Sequence, residues 1–154
     1  MMHIEVLCHE DKLPADASRV ESAVKSVLSQ AGITQARVNV AIVDDAQIQT
    51  LNRQYLDHDY PTDVLSFRLS ADQTEPLEGE IVISGETAHR QASRYGWRPE
   101  EELLLYVVHG ALHLVGYDDV DDRQRGRMRA AEREILGQFG LSPRYDENCQ
   151  NSSV

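Results

Sequence analysis

The chain is poor in the residues that staple, anchor or export a protein. Its 154 residues include two cysteines, Cys8 and Cys149. With no CxxC spacing between them, neither a disulfide framework nor a cysteine metal knuckle is expected. No window approaches the ~18 apolar residues of a membrane helix. The stretch from Met1 to Lys12 lacks the cationic and apolar plan of a signal peptide. A cytoplasmic protein without a membrane partner is expected. Lysine is scarce: Lys12 and Lys25 are the only two, and the other thirteen basic residues are arginine. The formal net charge of −11 argues against indiscriminate nucleic-acid binding, and DNA is not an expected partner.

What is present is a 41% hydrophobic composition, enough for one core. His3–Cys8, Ala36–Val43, Val64–Leu69 and Glu80–Ser84 read as strands, the last two joined by a polar loop, Ser70–Gly79. Helices are expected over Asp16–Ala31, after a cap at Asp44 or Asp45, and over Glu86–Tyr95, Pro99–Val115 and Asp121–Phe139. The second helix would carry Ile48, Leu51 and Tyr55; the last would face Met128, Ala131, Ile135 and Phe139 inward. The order β-α-β-α-β-β-α-α-α implies a single α+β domain over residues 1–141, a mixed four-stranded sheet packed with about five helices. Residues 142–154 are polar and read as a loose tail. Arg90, Arg94 and Arg98 fall in a stretch without acids. Arg123, Arg125, Arg127, Arg129 and Arg133 form a second cluster, read either as phosphate contacts or as a solvated face paired with Asp121, Asp122, Glu132 and Glu134.

The chemistry concentrates in His109-Gly-Ala-Leu-His113-Leu-Val-Gly116-Tyr-Asp118-Asp119. On a helix, side chains four apart share a face, so His109 and His113 can grip one cation. Gly116 tolerates the positive φ that turns the chain back, and Asp119 can complete a three-ligand set with an open position, as in catalytic zinc sites. Asp118 is an alternative ligand. The metal would sit at the end of a central buried helix, because the run before the histidines is apolar all round. Gly110, inside that helix, costs about 1 kcal/mol relative to alanine and signals a close approach to the backbone. The spacing first suggests a metzincin-type metallopeptidase, but such a motif needs glutamate after the first histidine, where Gly110 stands. His3, His9, His58 and His89 read as surface residues, and Trp97 as packing at a helix start.

The same stretch resembles the signature of the YbeY endoribonuclease family, H-G-x-L-H-L-x-G-Y-D-H. Leu51-Asn52 leading into Tyr55, Pro61-Thr-Asp63-Val-Leu-Ser66-Phe67, Gly79-Glu80-Ile-Val-Ile-Ser84 and Glu102-Leu103 resemble further family blocks, in order. The resemblance spans about residues 3–140. It implies a zinc-dependent endoribonuclease acting on single-stranded RNA, in ribosomal RNA maturation including the 16S 3′ end and in ribosome quality control. The ribosome or its small subunit would be a partner. The metal ligands would be His109, His113 and Asp119, acting through an activated water, with other divalent transition metals also accommodated. Arg53, Arg68, Asp63 and Ser66 are candidates for substrate binding, and Asp63, Asp118 and Glu80 for the general base.

Two departures from the family stand out. Asp119 replaces a histidine and lowers the formal charge of a zinc site from about +2 to +1. Leu56 stands where the family has an arginine, with Arg53 or Arg68 as possible substitutes. Leucine cannot pair with phosphate, so a metal-stabilised ribosome-assembly factor with weak or no catalysis is the competing reading.

Overall fold

The computed structural model describes residues 1–8, 16–60, 62–71 and 75–143. Four strands, β1 (Met2–Cys8), β2 (Ala36–Val43), β3 (Val64–Arg68) and β4 (Leu77–Ser84), form one sheet in the order β1-β2-β4-β3. The pairs β1–β2 and β2–β4 are parallel; β3–β4 is antiparallel. The helices are α1 (Ala17–Gln30), α2 (Asp45–Leu56), α3 (Gly85–Tyr95), α4 (Pro99–Leu114) and α5 (Asp122–Gly137). This is the expected α+β domain with a mixed sheet.

Alternation along the strands divides the helices between two faces. Val38, Val40, Ile42, Leu77, Ile81 and Ile83 join the main core with α1, α3, α4 and α5. The opposite face carries a smaller cluster, Val43, Ile48, Leu65 and Val82, under α2. Local chemistry sets the helix ends. Asp16, Asp44, Ser84 and Asp121 cap four N-termini with side-chain acceptors. Pro99 opens α4, and three glutamates complement its positive end.

Two expectations are corrected. Strand β4 starts at Leu77 rather than Glu80: its register against β2 begins at Ala36↔Leu77, and the tertiary pairing extends a strand whose first residues look polar. Tyr55, carried by α2, is 61% exposed, because α2 covers only the small second cluster and its last turn overhangs β3. Helix α5 ends at Gly137, so Phe139 lies beyond it, half-buried against the core. Of the expected tail, residues 144–154 lie outside the described residues, as do His9, Lys12, Pro61 and Cys149.

Candidate metal centre

Helix α4 runs through the middle of the helical layer. From Glu102 to Leu114 every residue is buried except His109 and His113, which are partly exposed. Gly110 permits this placement. A Cβ there would lie 2.7 Å from Ile81 Cγ2, 3.0 Å from Ser66 Oγ and 3.1 Å from Val64 Cγ2. The close approach expected at Gly110 is therefore the sheet itself, pressed against the helix beside the first histidine. Ser66 fastens the contact by donating to the Gly110 carbonyl at 2.9 Å.

Beyond α4 the chain turns at Gly116, whose φ is +105°. The turn is closed by Tyr117 N–H donating to the Leu112 carbonyl at 3.0 Å. It returns Asp119 to the histidines. His109 Nε2 and His113 Nε2 lie 3.2 Å apart, and Asp119 Oδ2 is 3.7 Å from the first and 3.9 Å from the second. Among the described residues these three form the group whose donor atoms could hold one ion. Ligands about 2.0–2.1 Å from a tetrahedral zinc stand roughly 3.3 Å from one another, so the set fits a cation after a closure of a few tenths of an ångström at Asp119. All three side chains retain about a quarter of their exposure, which leaves one side of the centre toward solvent.

The surrounding groups orient these ligands. His109 Nδ1 meets Glu132 Oε2 at 2.6 Å, and Glu132 is 2% exposed. With the Nδ1 proton donated to this carboxylate, Nε2 is left facing the centre. Burial alone would lower the pKa of His109, but the hydrogen bond and charge of Glu132 outweigh it, and the pKa is raised. Burial and the neighbouring His109 lower that of His113. Arg125 Nη1 holds the Asp119 carbonyl at 3.3 Å and Nη2 pairs with Asp122. That arginine therefore pins the ligand loop.

A second buried carboxyl lies on the same helix face. Glu102, Tyr106, His109 and His113 follow at spacings of four, three and four. Glu102 is 3% exposed and accepts from Trp97 Nε1 at 2.8 Å and from the Tyr106 hydroxyl. Burial pushes its pKa up to about 7 against these two hydrogen bonds.

The other expected residues separate. Asp63 stands at the start of β3, its Oδ1 accepting from Val64 N–H at 2.8 Å, and its charge acts on His109, Glu102 and Tyr106. Arg68 turns its guanidinium onto the Leu114 carbonyl at 3.0 Å and the Ala71 carbonyl at 3.3 Å, tying β3 to the end of α4. Arg53 is on α2, paired with Asp59 at 3.6 Å. Asp118 Oδ1 accepts from Asp119 N–H at 2.8 Å within its own turn. Glu80 pairs in register with Phe67 and lies on the α2 face, opposite the histidines, so it is removed from the candidates for general base. Arg90 pairs with Asp45 at 2.6 Å, and Arg98 with Glu101 at 3.3 Å. Both fill structural roles.

Sequence reasoning misses Glu132 and Glu102 as members of the site. The charge pattern groups Glu132 with a solvated face, yet it shares the buried stripe of Met128 and Ile135. A carboxylate on an apolar stripe is the available signal, because such a group needs a partner.

Fold and site together define a single-domain α+β protein with a two-histidine, one-carboxylate centre open on one side. The profile of the Endoribonuclease YbeY family matches residues 5–140. The chain belongs to this family. An Endoribonuclease YbeY of Rhodopirellula baltica is 45% identical over 132 residues, covering 82% of this chain and 66% of the relative. One from Desulfitobacterium hafniense is 38% identical over 155 residues, covering 91% and 99%. The solution structure of TM1509 from Thermotoga maritima superposes with a TM-score of 0.60 at 26% identity, covering 97% of this chain and 96% of that one.

Proposed function

We propose that this protein is a metal-dependent endoribonuclease that cuts single-stranded ribosomal RNA. Its place would be maturation of the small-subunit RNA, including the 16S 3′ end, and ribosome quality control in the cytoplasm. The observation that carries this reading is the convergence of His109, His113 and Asp119 in a chain of an endoribonuclease family. Residues 1–141 would form the catalytic domain, followed by a polar tail. No helix among the described residues is long and apolar enough to cross a membrane.

His109, His113 and Asp119 would hold the ion, with zinc the first expectation and other divalent transition metals able to use the same donors. Bound there, it supplies a Lewis acid for a phosphoryl oxygen and acidifies water at neutral pH. The chain's own residues do the rest. Glu132 keeps the His109 proton on Nδ1, and Arg125 keeps Asp119 in reach. Asp63 and Asp118 remain the candidates for general base, Asp63 because its charge acts on His109. The formal charge of a divalent ion with Asp119 and Glu132 sums to about zero, so the pull on an anionic phosphate is weaker than in an all-histidine centre.

A second reading, a ribosome-assembly factor with weak catalysis, is favoured by Leu56. Its side chain is apolar and 48% exposed where the family carries a cation. Cleavage of single-stranded and duplex RNA by wild type, His109→Ala, His113→Ala and Leu56→Arg tests both. Cleavage of single strands lost in both histidine variants supports the nuclease. A large gain in Leu56→Arg with unchanged ribosome binding supports a weakened enzyme. Equal cleavage by wild type and the histidine variants would mean a contaminating nuclease.

A further inference from the structure

The end of α2 and the connection to β3 carry aromatic surface that the metal centre does not use. Tyr55 is 61% exposed and Tyr60 52%, and Leu56, next to Tyr55 in sequence, is 48% exposed. The arrangement is built. Tyr55 lies edge-on to Phe67, ring centroids 5.6 Å apart. The rings of His58 and Tyr60 lie 5.4 Å apart and tilted by 30°, joined by a 2.8 Å hydrogen bond between Nδ1 and the hydroxyl. Buried Asn52 draws the connection back onto the helix, donating to the Tyr60 carbonyl and accepting from His58 N–H.

Strand β3 lies between this surface and the metal centre. Leu65 and Phe67 share one face of β3, while Ser66 between them reaches the other face and the carbonyl next to His109. Among the described residues β3 pairs only with β4, so its outer edge separates the two features. The connection that holds Tyr60 leads to Asp63, whose charge acts on His109.

We propose that Tyr55 and Tyr60 are stacking platforms for unpaired nucleobases of an RNA strand that crosses the open edge of β3 to the metal centre. The proposal rests on the nuclease reading. The net charge of −11, with Asp57 and Asp59 beside these rings, works against holding RNA by phosphate attraction at this surface. Stacking on base faces is insensitive to that charge and to base identity, and it excludes a duplex, whose base faces are already covered.

The test uses the full-length, metal-free protein and a short fluorescein-labelled single-stranded oligoribonucleotide, with binding read by anisotropy. Tyr55→Ala and Tyr60→Ala are each expected to weaken binding by about fivefold or more, with Tyr55→Phe close to wild type. Both side chains are more than half exposed, so the fold tolerates their removal. The same sequence annealed to its complement is expected to bind weakly and to be indifferent to the substitutions. Unchanged affinity in both alanine variants, or no binding by wild type, overturns the proposal. The metal-loaded His113→Ala variant separates the two ideas. If its cleavage equals wild type, the nuclease reading fails. If cleavage needs His113 but ignores Tyr55 and Tyr60, only the platform fails.

Discussion

Glu132, buried on α5, meets the inner nitrogen of His109 on α4 at 2.6 Å. A helix that supplies no ligand therefore determines which nitrogen of a ligand faces the centre. The pair also explains how a charged carboxylate is tolerated in the core: burial is offset by a short, charge-assisted hydrogen bond.

Glu132→Gln is expected to lower zinc affinity about 10- to 100-fold, the usual effect of removing a carboxylate behind a metal-binding histidine. Titration calorimetry on the metal-free protein measures this. An unchanged dissociation constant would show that the bond serves packing alone.

Asp119→His restores the donor type that the family pattern carries and raises the formal charge of the centre by one. Tighter zinc binding and faster RNA cleavage than wild type are expected, whereas Asp119→Ala should lose stoichiometric zinc. Elemental analysis of protein purified without a metal-affinity tag, paired with a cleavage assay, reads both. Full zinc occupancy in Asp119→Ala would remove Asp119 from the ligand set.

Glu102 should make stability depend on pH. Its carboxyl holds a proton up to about pH 7 in the folded chain, against an ordinary value of 4.5. Below about pH 4.5 both states are protonated and nothing is lost. As pH rises to about 7 the unfolded chain releases its proton first, and folding loses about 3 kcal/mol from this group. Above that range both states are ionised and the loss is constant. Glu102→Gln keeps an acceptor for Trp97 and should flatten this part of the profile. Urea unfolding at about pH 5 and about pH 8, either side of the folded-state value, is the measurement. The same pH dependence in both proteins would rule the group out.

Gly110→Ala should destabilise the fold by about 1–3 kcal/mol, because the added Cβ would lie 2.7 Å from Ile81 and 3.0 Å from Ser66. Alanine is the better helix former, so a stabilised variant in thermal unfolding would show that the sheet and α4 can move apart at no cost.

Much of the fold and the centre of the site are legible in the residues alone. The histidine spacing, the glycine turn and Asp119 are local, and helix geometry places residues four apart on one face whatever surrounds them. The capping residues Asp16 and Asp121 and the glycines that end or turn helices act in the same local way. That is why most boundaries fall within a residue or two of expectation. Leu77–Gly79 do not read as strand because their strand character comes from pairing with β2.

The donor set is written in the chain: two imidazoles and a carboxylate fall within eleven residues, from His109 to Asp119. What stands behind and beside that set is a matter of packing in three dimensions. Glu132 reaches His109 across 23 residues, Ser66 reaches Gly110 across 44, and Arg68 reaches Leu114 across 46. No short-range pattern encodes such contacts. They exist because a buried polar group must find a partner, and the fold alone determines which one lies within reach.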